Sequence, residues 1–141
     1  QMNKFSRFLY SDWLSTIAVE GPVSENNLIK FSACYEDSRN NYHKRSVVID
    51  LLENQFKIID FIKGNFSKAK LRYRLAKGNW RLIGNSVSSN EYKFRFESDS
   101  SLNINIRPGF ESRNYLHKDN LEVIEVIKDR PGLITTSFYW N

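Results

Sequence analysis

The sequence holds one cysteine, Cys34. A lone thiol excludes an intrachain disulfide and a cysteine-based zinc site. It sits in "LIKFSACYE" among apolar neighbours, where a free cysteine behaves as a small hydrophobe. A buried thiol is therefore expected. A nucleophile would need a positioned base, and His43 and His117 are the two histidines available. No apolar run approaches about 20 residues, so no transmembrane span is expected. The opening "QMNKFSRFLYSDW" has no secretory h-region, which means a signal peptide absent or already removed. The chain starts with Gln and reaches a strand-like pattern at once, as a processed chain or a piece of a longer one would. The P-loop, GxGxxG, nucleophile-elbow and HExxH patterns are missing, as are RNA-recognition and zinc-finger signatures. No cofactor and no metal is expected. There is no repeat, low-complexity segment, linker or basic tail.

What is present suits a folded β-protein. The length of 141 residues fits one domain, and 40% hydrophobic residues are enough for a core. Aromatics reach 14%, with ten Phe, seven Tyr and three Trp, and such side chains fit a pleated, half-buried surface. The net charge of +5 favours anionic partners without choosing among acidic polysaccharide, nucleic acid and an anionic surface.

Hydrophobicity alternates with period two. Ile29, Phe31, Ala33 and Tyr35 share a face in "LIKFSACYE". Ala69, Leu71, Tyr73 and Leu75 oppose Lys68, Lys70, Arg72 and Arg74 in "KAKLRYRL". Tyr92, Phe94 and Phe96 oppose Lys93, Arg95 and Glu97. Leu102, Ile104 and Ile106 oppose Asn103, Asn105 and Arg107. Side chains of a strand alternate sides, so each segment has one dry and one wet face. "NLEVIEVIK" is short, β-branched and uncapped, and reads as a strand, as does the closing "GLITTSFYW". Turn signals stand between the runs, among them Gly21-Pro22, Asp37 to Asn41, Glu53-Asn54, Lys63-Gly64-Asn65, Lys77-Gly78-Asn79, Gly84-Asn85, Ser98 to Ser100, Pro108-Gly109 and Pro131-Gly132. Their spacing of roughly 8–12 residues predicts an all-β fold, one antiparallel β-sandwich of roughly ten strands over residues 1–141.

"HKRSVVIDLLENQFKIIDFIKG" reads as a hairpin. His43 to about Leu52 is one strand, with Val47, Ile49 and Leu51 on one face; Glu53-Asn54 turns; Gln55 to Ile62 returns. Asp50 and Asp60 would work as an acid–base pair only if the environment kept one protonated. Nothing in the sequence points to that, and both read as solvated or strand-end carboxylates.

Candidate binding residues are basic. Same-side residues in a strand repeat about every 7 Å, so Lys68, Lys70, Arg72 and Arg74 form a row of cations. That row would track sulfates or carboxylates of a polymer, or be a solvated face neutralised across the strands. "RPGFESRNYLHKD" is read as a polar loop around Pro108-Gly109, offering Arg107, Glu111, Arg113, Tyr115, His117 and Lys118, and binding residues concentrate on such loops. Lys70, Arg72, Arg74, Arg107, Arg113 and Tyr115 are the substrate-binding candidates. The histidines read as structural or surface residues; a metal site on both would need carboxylates the sequence does not place. Trp13 and Trp80 read as core filler, with Trp140 open to a sugar-stacking role.

The stretch "FSACYEDSRNNYHKRSVVIDLLENQFKIIDFIKG" resembles a recurring segment of the heparinase II/III-like polysaccharide lyases. There, His-[Arg/Lys]-Arg precedes an apolar strand, a turn and a strand carrying Asp and Gly. His43-Lys44-Arg45, Val47 to Leu51, and Phe56 to Gly64 with Asp60 match it. "KAKLRYRLAKGNW" is similar to the family's next strand, although Arg74-Leu75-Ala76 stands where a His-Leu-x-Pro element is usual. "GFESRNYL" is similar to its Gly-[aromatic]-x-Ser-x-x-Tyr loop, and "LITTSFYW" to its last strand. The resemblance covers nearly the whole chain.

The resemblance implies the later part of the C-terminal β-sandwich region of a larger lyase, one with an N-terminal helical toroid that cleaves uronate-containing polysaccharide by β-elimination. It implies an extracytoplasmic place and an acidic polysaccharide partner. The family's catalytic Tyr, His and Asn lie mostly on the toroid, and its His-Asn-Thr-like motif is absent here. His43 matches the His-Arg-Arg strand and not the catalytic histidine. No catalytic residue is assigned, and the chain alone is expected to be inactive. The alternative is a stand-alone basic carbohydrate-binding module. Nucleic acid is not the expected partner, because the aromatics alternate away from the cations rather than beside them as base-stacking platforms. The Lys- and Asn-rich composition suggests a bacterial source.

Overall fold

The computed structural model describes residues 3–4, 10–11, 13–112 and 117–140. Those residues form thirteen strands: β1 (Asn3–Lys4), β2 (Tyr10–Ser11), β3 (Ser15–Glu25), β4 (Leu28–Glu36), β5 (Tyr42–Asp50), β6 (Gln55–Lys63), β7 (Ala69–Arg74), β8 (Arg81–Ile83), β9 (Ser86–Ser88), β10 (Tyr92–Ser98), β11 (Asn103–Glu111), β12 (Asp119–Lys128) and β13 (Gly132–Trp140). β1 and β2 pair with each other, and the other eleven form two antiparallel sheets. The large sheet runs β3-β4-β5-β6-β13-β10-β9-β8, and the small one β11-β12-β7. The expected all-β sandwich is what the chain forms, and "NLEVIEVIK" lies in β12.

The two sheets meet over the middle of the large one. Phe94, Phe96 and Ile134 of the large sheet pack with Leu71, Ile124 and Val126 of the small sheet in one buried cluster. Each inward residue belongs to an alternating run, so the period of two built this layer. Tyr73 of β7 and Thr136 of β13 share a hydrogen bond of 2.9 Å between the sheets. Trp80 packs at the edge of the core, as expected, with its indole N–H donating to the Ala76 carbonyl at 2.8 Å. Trp140 is half-buried beside Phe56 and Phe138. Cys34 is a buried free thiol.

The eight-stranded sheet is too wide for the three-stranded one to cover. Ile29, Phe31, Ala33 and Tyr35 do share one face of β4, opposite Ile49, Val47, Arg45 and His43 of β5. That face continues the inner layer, yet Phe31 and Tyr35 stay 41% and 37% exposed. The cause is the missing cover over β3 and β4, since Val47 of β5 is buried. Trp13, expected in the core, is 72% exposed for the same reason: it precedes β3, the edge strand.

Two expected turns are strand. Gly21-Pro22 lies within β3 at a register shift between Glu20 and Val23, a bulge that an edge strand tolerates. The reversal comes at Asn26 and Asn27, both with positive φ, which suits the right-handed twist of a tight hairpin. Pro108-Gly109 lies inside β11, paired with Glu122 and Leu121. β11 is an edge strand, where a residue without an N–H leaves no ladder bond unmade. The hairpin of β5 and β6 forms as read, except that β5 ends at Asp50 and Leu51 is in the turn, 53% exposed. Asp50 caps that turn by accepting the Leu52 and Glu53 N–H groups.

Candidate functional site: a basic groove at the open edge of the sandwich

β7 is the edge of the small sheet, and it borders the uncovered part of the large one. Between them lies a groove of about 750 Å³. Tyr35 and His43 line its floor, and Lys68, Lys70 and Arg72 its β7 side. The Tyr35 and His43 rings meet edge to face with centroids 5.1 Å apart.

The floor rests on a buried carboxylate. The register puts His43 opposite Ile62 and Arg45 opposite Asp60. Asp60 is fully buried and accepts hydrogen bonds from His43 Nε2 at 2.6 Å and from Arg45 Nε and a terminal nitrogen at 2.7 and 3.1 Å. Burial alone would push the Asp60 carboxyl up, but the donors on His43 and Arg45 outweigh it and hold the group below its ordinary value. Reading Asp60 as a solvated or strand-end carboxylate is therefore wrong. Asp50 and Asp60 also face opposite sides of the sheet, ten residues apart across the turn, so they form no acid–base pair. The alternation carried this signal: Asp60 shares parity with Ile58 and Ile62, and His43 and Arg45 share parity with Val47. All six belong to the inner face. His43 keeps its structural role, since its ring orientation is set by Asp60.

The cation row is present. Lys70, Arg72 and Arg74 alternate to the outer side of β7, and Arg107 joins them from β11 across β12. One carboxylate stands at their centre. Glu125 of β12 lies opposite Arg72 and Asn105. It accepts from Arg72 at 2.9 and 3.0 Å and lies 3.6 Å from both Lys70 and Arg107. The hydrogen bonds from Arg72 lead in holding its carboxyl below the ordinary range, with burial opposing and the Lys70 and Arg107 charges adding to it. Three cations thus share one anion, and their side chains remain 41–62% exposed. The face carries surplus positive charge on rigid strands, which concentrates a polyanion's counter-charge. Glu125→Gln removes the internal competitor; polyanion affinity should rise several-fold at low salt, as titration would show, while the melting temperature falls because the buried carboxylate that the three cations stabilise is gone.

Of the candidate binding residues, Lys70, Arg72, Arg74 and Arg107 therefore lie on one face, whereas Arg113 and Tyr115 fall outside the described residues. His117 is exposed and bonded to Asp119 at 3.1 Å. Among the described residues, no group of three His, Cys, Asp or Glu is placed to hold a metal ion, and no helix is long and apolar enough to cross a membrane. Tyr35 and Glu125 were missed because cross-strand neighbours are set by register, which depends on turn lengths.

The fold aligns with solved lyases. Over 89% of this chain it superposes on the heparinase III gene product BT4657 with a TM-score of 0.72 at 18% identity. Heparan sulfate lyase HepC from Pedobacter heparinus gives 0.69 at 18% identity over 90% of this chain. The chain carries the fold of a heparinase III segment. It spans 21% of the length of each of these lyases. A further heparinase III structure aligns with a TM-score of 0.63 at 16% identity. No family model and no curated protein matches the sequence.

Proposed function

We propose that this chain is the β-sandwich portion of a polysaccharide lyase that cleaves uronate-containing polymer by β-elimination, and that it supports the substrate cleft without supplying the catalytic groups. The observation that carries this reading is the fold shared with heparinase III across nearly the whole chain, over about a fifth of that lyase's length. The basic groove supports it. An acidic glycan laid along β7 would meet Lys70 and Arg72 with its anionic groups and the Tyr35 ring with a sugar face. The uncovered inner face of β3 and β4 beyond the groove, with Phe31 exposed, is where the lyase's helical toroid would seat. The chain alone would not cleave polymer.

A second reading, a stand-alone carbohydrate-binding module, rests on the exposed ladder cations. The two readings share a first test. Lys70→Ser with Arg72→Ser should weaken binding of a heparan sulfate oligosaccharide roughly tenfold, as expected for two partly exposed ion pairs of up to about 1 kcal/mol each. Unchanged affinity with unchanged stoichiometry would remove the ladder from the site. Release of unsaturated uronate by the chain alone would contradict its non-catalytic role.

A further inference from the structure

The opposite side of the molecule is also basic, and the groove does not account for it. Cross-strand partners on the large sheet link Lys30 to Val48, Val48 to Lys57, Lys57 to Ser137, and Ser137 to Arg95. All five residues face away from the small sheet. Lys30, Lys57 and Arg95 lie on alternate strands, so they are spaced about 10 Å apart along a line crossing the strands. In the next row, Tyr139 pairs with Lys93. Tyr139 is 37% exposed, so its ring is open to a ligand beside the row. Arg95 pairs with Glu97 at 3.0 Å. Lys30, Lys57 and Lys93 have no carboxylate within ion-pair distance among the described residues.

We infer that this outer face, along Lys30, Lys57 and Arg95 with Lys93 and Tyr139 beside them, is a second binding surface for a linear uronate-bearing polysaccharide. The inference rests on the polysaccharide reading above and extends it to a surface on the far side from the groove. The physical match is one of charge spacing. A polymer with one uronate per disaccharide offers an anion about once per two sugars, and the sheet offers a cation once per two strands. The exposed phenol ring gives a flat apolar platform against which a sugar face can lie. Duplex DNA carries one charge per about 1.7 Å of axis, far denser than this row. Its charge would be left mostly unmatched. A polymer held here and in the groove would be gripped at two points, which raises apparent affinity without new contacts at either.

The test is calorimetric titration of the 141-residue chain with a short heparan sulfate oligosaccharide, too short to reach both faces. The expected result is two equivalents bound, falling to one in Lys57→Ser/Lys93→Ser and to one in Lys70→Ser/Arg72→Ser. All four lysine and arginine side chains are exposed, so thermal melts should match the unmodified chain. A long polymer should bind at least tenfold more weakly to either variant. Loss of a site only in Lys70→Ser/Arg72→Ser would overturn the second surface while leaving the groove reading intact. No saturable binding by the unmodified chain would overturn both. Single-stranded DNA of matched charge bound as tightly as the oligosaccharide, and lost in Lys57→Ser/Lys93→Ser, would overturn the assignment to polysaccharide.

Discussion

Replacing Asp60 with alanine should lower stability by about 2–4 kcal/mol, read as a shift of the urea midpoint. The carboxylate is fully buried and holds His43 and the Arg45 guanidinium. Removing it leaves both donors facing an apolar layer next to Ile58, Ile62 and Ile134. Breaking a fully buried pair costs about 3–5 kcal/mol. Arg45 is 40% exposed here and recovers some hydration, which brings the figure down. The effect has a pH signature. The Asp60 pKa is lowered in the fold, so the stability it contributes is fully present above the ordinary carboxyl value of 3.8 and is lost as pH falls through the lower folded value. The unmodified chain should therefore lose stability on acidification more steeply than Asp60→Ala. Equal slopes would mean that the network contributes nothing. The same change should loosen the groove floor, since His43 is aimed by Asp60.

Phe96→Ala is expected to cost about 3–5 kcal/mol, the range for deleting a buried aromatic ring. Phe96 is 1% exposed and lies in the cluster where the sheets meet. Its ring is parallel to Phe94 with centroids 6.2 Å apart and tilted against Tyr73 of the opposite sheet at 6.0 Å. Both neighbours are on rigid strands and cannot close the gap. A denaturation midpoint unchanged from the parent would contradict the placement of the core between β10 and β7. Because β7 also carries Lys70 and Arg72, this variant should weaken glycan binding as well, through displacement of the small sheet.

The sequence carried which residues share a face and little of what covers that face. Alternation in β7, β10 and β11 named the inner residues correctly, because a strand has only two sides. For β4 the same reasoning grouped Ile29, Phe31, Ala33 and Tyr35 correctly, but a small sheet of three strands leaves them open. Local propensity failed where edge position decides: Gly21-Pro22 and Pro108-Gly109 look like turns, yet both lie in edge strands with no inner ladder to break. Buried charge was legible in part. Asp60 has the parity of the core in "KIIDFIKG", and only the prior that carboxylates stay in water set it outside. Lys128 illustrates the same prior. It is fully buried, with its ammonium 2.5 Å from Asp99 and 2.9 Å from Ser98, and it also donates to Ser100. It fastens the turn before β11, and Gly132 at φ +137° lets the Asp99 carboxylate come close, where a Cβ would collide with it.

The cation row was legible and its central carboxylate was not. Lys70, Arg72 and Arg74 follow from parity within one strand. Arg107 and Glu125 join them only through the pairing of three strands distant in sequence. The resemblance to heparinase II/III-like lyases and the shared fold with heparinase III agree with each other, and neither assigns a catalytic residue to this chain.

The most direct test is equilibrium binding of the chain to a panel of acidic oligosaccharides, with single-stranded DNA as the control, at low and at moderate salt. The account predicts saturable binding that favours one uronate-containing sugar over DNA and persists at moderate salt. Equal, salt-sensitive binding to every polyanion, or none, would contradict it.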